Sequence, residues 1–91
     1  MKTKLDNARE RINEIDLEMI KLFKERMNAV NDVVSYKLEN NLPVLDSSRE
    51  QDLIEKNLKA LNSKELEEYY LTFFDGVLRS SKDYQKKIKG E

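Results

Sequence analysis

From Leu5 onward, apolar side chains recur in alternating steps of three and four: Leu5, Ala8, Ile12, Ile15, Met19 and Leu22, then Arg26, Ala29, Val33 and Tyr36. This spacing is the seam of a packed α-helix, and Arg26 is the one charged residue on it. A second row, Ile20, Phe23, Met27, Val30, Val34 and Lys37, runs beside the first and widens the apolar face of the second half, which should therefore be covered from two sides. Asp6 is the expected N-cap. Asn40-Asn41-Leu42-Pro43 is the expected stop, because proline biases the residue before it away from the α region. A helix over about residues 6 to 39 would be some 50 Å long, whereas a compact chain of this size has a diameter of roughly 30 Å. The rod overshoots its own globule while its apolar stripe continues, so a second copy is expected to cover the overhang in an intertwined homodimer.

After the loop around Pro43, Ser47-Ser48-Arg49-Glu50 reads as a capping box, with Ser47 at the N-cap and Glu50 at N3. The helix it opens runs to about Leu61, with Leu53, Ile54, Leu58 and Leu61 inward and Glu50 on the same face. Asn62-Ser63-Lys64-Glu65 caps a third helix, whose stripe is Leu66, Tyr70, Phe73, Phe74, Val77, Ser81, Gln85 and Ile88. Gly76 inside it marks either a close backbone approach or a tolerant surface position. No repeat, low-complexity tract or flexible linker interrupts the pattern. The expectation is all-α, with three helices in one domain over residues 1–91.

Composition narrows the chemistry. Hydrophobic and charged residues are each 38% of the 91 residues, against about 45 to 50% and about 25% in typical domains, so much of the chain faces water. Only two Gly and one Pro are present, too few turns for a multi-stranded sheet. Seventeen basic against eighteen acidic side chains leave a net charge of -1, without the basic excess of a nucleic-acid binder. The lack of Cys and His excludes disulfides, thiolate chemistry, zinc sites and histidine-based triads. No signal-peptide or membrane-spanning run is visible, which makes a cytoplasmic protein without membrane contact the expectation.

Five polar residues, Arg26, Lys37, Glu50, Ser81 and Gln85, stand on faces the surrounding pattern would bury. A buried charge needs a protein partner, a water-filled pocket or a ligand. Arg26 and Lys37 are eleven residues apart, which places them within about 20° of each other around the helix and about 16 Å apart along it. Two long cations leaning into one cleft leave room for a compact dicarboxylate. The purely structural alternative pairs Arg26 with Glu50 in a buried bridge, lets Lys37 snorkel, and leaves Ser81 and Gln85 at a frayed end. On pattern alone Arg9 and Arg11 are solvated, Asp46 is a loop or cap residue, and Arg49 is a first-turn surface residue.

Taken in order, these segments resemble the all-α chorismate mutases of the small dimeric class. Arg9-Glu10-Arg11-Ile12 with Ile15-Asp16 is similar to that family's R-x-x-I-x-x-I/L-D, and Leu22-Phe23-Lys24-Glu25-Arg26 to its L-L-x-x-R, followed eleven residues later by Lys37. Pro43 to Glu50 resembles P-V/I-x-D-x-x-R-E, the most distinctive segment, and Ser81 to Gln85 resembles S-x-x-x-Q. Two departures stand beside this pattern: Ser35-Tyr36 where smaller residues are common, and Lys82 where Arg or an apolar residue is common. Neither replaces a residue carried over.

The resemblance implies conversion of chorismate to prephenate, a one-step rearrangement on the route to phenylalanine and tyrosine that needs no metal or other cofactor. By family analogy Arg9 and Arg26 grip the substrate carboxylates, and Lys37 and Gln85 donate to the ether oxygen. Glu50 and the backbone near Asp46 receive the ring hydroxyl. Ser81 touches a carboxylate, and Arg49 orients acidic neighbours while adding positive potential. Arg9 lies seventeen residues before Arg26, about 25 Å along one helix and beyond the reach of one small ligand, so it is expected in the other subunit's site. Two other functions are compatible with the scaffold: a lyase splitting isochorismate into salicylate and pyruvate, and a non-catalytic helical dimerisation or regulatory module.

Overall fold

The computed structural model describes residues 1–90. They form three α-helices, α1 (Lys4–Glu39), α2 (Ser47–Leu61) and α3 (Glu67–Lys89), with a single 3-10 turn at Lys64–Leu66 before α3. There is no strand among the described residues, and the all-α expectation holds. None of the helices is long and apolar enough to cross a membrane.

Local chemistry sets the helix ends, in places one element away from the expected one. The N-cap of α1 is Thr3, not Asp6. Asp6 sits at N3, where its backbone N–H donates to Thr3 Oγ1 and its carboxylate accepts from the Thr3 N–H, a reciprocal capping box. At the other end, Asn40 closes the helix and Asn41 takes the left-handed conformation at φ 53°, which a short amide side chain tolerates. The N-cap of α2 is Asp46 rather than Ser47; its Oδ1 accepts from the Arg49 N–H at 3.0 Å. The expected Ser47–Glu50 box does not form, and the Glu50 carboxylate is released for other work. Asn62, left-handed at φ 48°, ends α2. Ser63 opens the 3-10 turn rather than α3 itself.

The chain runs up, down and up. Arg26 and Lys37 of α1 meet Ser81 and Gln85 of α3 in the same order, so α1 and α3 are parallel. In the return helix α2, Glu50 meets Lys82 and Asn57 meets Tyr70, an antiparallel match. The packed region lies at the C-terminal half of α1, where Val30, Val34, Val44 and Phe74 are buried. Tyr70 stacks on Phe74 with ring centroids 5.5 Å apart, and its hydroxyl accepts from the Asn57 amide at 3.0 Å. The two apolar rows of α1 separate here. The second row supplies the intrachain contacts through Val30 and Val34, whereas seam residues Ile12, Leu22, Val33 and Tyr36 are exposed. Within one chain, the second half of α1 is covered on one side only.

Candidate functional site

A cavity of about 150 Å³ lies where all three helices meet. Arg26 and Lys37 enter from α1, Asp46, Arg49 and Glu50 from the start of α2, and Ser81, Lys82 and Gln85 from α3. All five polar residues singled out for their place on apolar faces therefore line one space. Asp46 and Arg49, both exposed, line it too. The cap explains how they arrive: Asp46 anchors the first turn of α2, and Glu50 follows one turn later in the cavity lining.

Arg26 and Lys37 are each held by neutral oxygens. An Arg26 Nη1–H donates to Ser81 Oγ, and that hydroxyl donates on to the Val77 carbonyl at 3.0 Å. Lys37 Nζ donates to the Val44 carbonyl at 2.8 Å and to Gln85 Oε1 at 3.0 Å. An ammonium has no lone pair, so the amide oxygen of Gln85 must face Lys37 and the amide nitrogen is turned the other way. That nitrogen makes no protein hydrogen bond, and no buried side-chain nitrogen or oxygen among the described residues lacks a partner. Although Gln85 as a residue is only 7% exposed, its amide N–H groups open onto accessible space in the cavity. One Lys37 N–H and most of the Arg26 donors are likewise uncommitted.

The Arg26–Glu50 bridge of the purely structural alternative is absent among the described residues. Glu50 pairs instead with Lys82, Oε1 to Nζ 3.1 Å, so Arg26 keeps its full charge toward the cavity. Lys82 was not among the residues the sequence pattern selected. It lies between the buried and solvated faces of α3, and only its place beside Ser81 and three residues before Gln85 signals a role.

Arg9 is not brought to this cavity. It is exposed on the first turns of α1, about 25 Å from Arg26 along the helix axis. Arg11 is also exposed and pairs with Glu14 at 3.1 Å, as a solvated residue should. Two further grooves flank the site. One, of about 550 Å³, is almost wholly apolar and runs between Asp16–Arg26 of α1 and Tyr70–Val77 of α3. The other, about 500 Å³, lies under the α1–α2 loop, where Lys89 Nζ donates to the Leu42 carbonyl at 3.1 Å.

Residues 8–86 match a protein family described as chorismate mutase type II. Two curated proteins are similar over most of the chain, both named bifunctional chorismate mutase/prephenate dehydratase. The one from Buchnera aphidicola subsp. Acyrthosiphon pisum (strain APS) is 33% identical over 81 residues, covering 88% of this chain and 21% of that protein. The one from Buchnera aphidicola subsp. Schizaphis graminum (strain Sg) is 32% identical over 88 residues, covering 96% of this chain and 23% of that protein. The chain thus spans about a fifth of the length of these relatives. No solved structure matches it significantly.

Proposed function

The chain belongs to the chorismate mutase type II family, and from that premise we propose that it rearranges chorismate to prephenate as a cytoplasmic homodimer. In this reaction the ether C–O bond breaks as a new C–C bond forms within one molecule, with no proton, electron or group exchanged with the protein. What a protein can supply is conformation and electrostatics.

The observation that carries this reading is the convergence of uncommitted donors in one cavity: the Arg26 guanidinium, the remaining Lys37 N–H and the Gln85 amide nitrogen. Arg26 grips one carboxylate of the dianion, the planar guanidinium suiting bidentate pairing. Ser81 holds that guanidinium in place, and touches the same carboxylate once its hydroxyl turns to it from the Val77 carbonyl. Lys37 and Gln85 face the ether oxygen, where negative charge grows as the bond breaks, so their hydrogen bonds strengthen in the transition state. Glu50 and the backbone at Asp46 receive the ring hydroxyl, and Arg49 adds positive potential at the mouth. The second carboxylate is taken by Arg9 of the partner subunit, reached when the apolar groove and the exposed seam of α1 close against a second copy.

A continuous ultraviolet assay of chorismate loss, with the product identified, tests the reading. Prephenate from chorismate is the expected product; salicylate with pyruvate from isochorismate, supplied in a parallel assay, would indicate the lyase, and no turnover of either substrate by folded dimer a non-catalytic module. Lys37→Ala should lower kcat/KM by about a hundredfold or more, the typical effect of removing one transition-state donor, with helicity by circular dichroism unchanged. Near wild-type turnover by that variant would remove Lys37 from the mechanism.

A further inference from the structure

A carboxylate placed among cations pairs with one of them, and which one it takes decides which remain available for a ligand. Glu50 shares its cavity with Arg26, Lys37, Arg49 and Lys82. If it turned to Arg26 or Lys37, it would neutralise a charge that an anionic substrate needs. It pairs instead with Lys82, at 3.1 Å, both side chains being largely shielded at 25% and 31% exposure. Arg26 and Lys37 meet only neutral acceptors: a hydroxyl, a backbone carbonyl and an amide oxygen. The separation originates in one turn of α3, which supplies Ser81 to Arg26, Lys82 to Glu50 and Gln85 to Lys37.

Charge arithmetic points the same way. Four lining cations, Arg26, Lys37, Arg49 and Lys82, stand against two carboxylates, Asp46 and Glu50, a formal surplus of +2. Without Lys82 the surplus falls to +1 and Glu50 loses its partner. We infer that Lys82 is a positioning residue that holds Glu50 away from Arg26 and Lys37, keeping those two cations free for a dianion and leaving the second oxygen of Glu50 to accept the ring hydroxyl. The inference rests on the proposed mutase reading and adds to it a residue that acts through Glu50 rather than on the substrate.

A double-mutant cycle tests it. Lys82→Met removes the charge and keeps the length. It should raise KM for chorismate by about tenfold, with a smaller fall in kcat, because the lost interaction is ground-state carboxylate binding. In a Glu50→Gln background the same change should alter KM by less than about twofold, since no carboxylate is left to stray and the double variant regains the surplus of +2. Lys82→Arg, which keeps the cation, should retain the wild-type KM. Calorimetric titration with a bicyclic dicarboxylate that mimics the chair-like transition state reads the same cycle as affinity even where turnover is low. Thermal melts followed by circular dichroism verify that each variant is folded. An unchanged KM and affinity in Lys82→Met would overturn the inference, as would an equal penalty in both backgrounds, which would place Lys82 on the substrate itself. Wild-type turnover tests the mutase reading separately: its failure, with the affinity cycle intact, would reject the reaction and not the role of Lys82.

Discussion

Gln85 shows how one amide is committed on one side and open on the other. Its oxygen is taken by Lys37 at 3.0 Å, so only its N–H groups can serve a ligand. Replacing it by glutamate leaves two acceptors where a donor is required. At neutral pH the carboxylate would pair with Lys37 and repel a growing negative charge on the ether oxygen; once protonated, its O–H could donate in the amide's place. The activity of Gln85→Glu should therefore be low at pH 7 and rise as the pH falls toward the ordinary glutamate range near about 4.3. A pH profile of kcat/KM beside the wild type checks this, and a flat profile would remove Gln85 as the donor. Arg26, Lys37, Glu50, Ser81 and Gln85 could be picked from sequence because each interrupts an apolar row, and desolvating a polar group demands compensation. Lys82 could not, because a lysine at the margin of an amphipathic helix looks like any solvated residue. The partner of Glu50 was not legible for a related reason: helical spacing fixes which face a residue occupies but not which of several cations lies within 4 Å.

At the scale of the helices, the type, number and ends of the elements were legible to within a few residues, because the period-3.6 pattern and the single proline leave little choice. The caps were less so. Thr3 and Asp6, like Asp46 and Ser47, are competing acceptor oxygens within one turn, and sequence alone does not rank them. For α2 the outcome matters: with Asp46 as N-cap, Glu50 is freed from a capping box and can reach Lys82. Gly76 resolves toward the tolerant surface position, since a Cβ built there meets nothing within 4 Å. It lies in the interior of α3, where glycine costs about 0.8 to 1 kcal/mol relative to alanine. Gly76→Ala should accordingly raise Tm by roughly 4 to 8 °C, measured by scanning calorimetry at fixed protein concentration. A lower Tm would reveal a close backbone approach from outside the chain.

At the scale of the whole molecule, the chain measures 59 × 26 × 18 Å with a radius of gyration of 16.7 Å, whereas a compact domain of this length would have about 12 Å. The excess is the N-terminal half of α1, whose apolar residues Leu5, Ile12 and Leu17 are all more than half exposed. Exposed apolar surface of this extent marks a site of association, and the proposed homodimer gives it an occupant. It also gives Arg9 a destination, since Arg9 lines none of the three cavities described above. If each site combines Arg26 from one subunit with Arg9 from the other, the two losses can be made to complement. Arg9→Ala and Arg26→Ala should each be nearly inactive as homodimers. In a heterodimer, one site would carry both lesions and the other neither. Equal mixing with random exchange makes half the dimers hybrid, so activity should recover to roughly a quarter of the wild-type level. Native mass spectrometry with one variant isotopically labelled would establish that exchange has occurred. Recovery would place Arg9 in the opposite site, whereas silence after complete exchange would confine each site to a single chain and leave the length of α1 without a catalytic purpose.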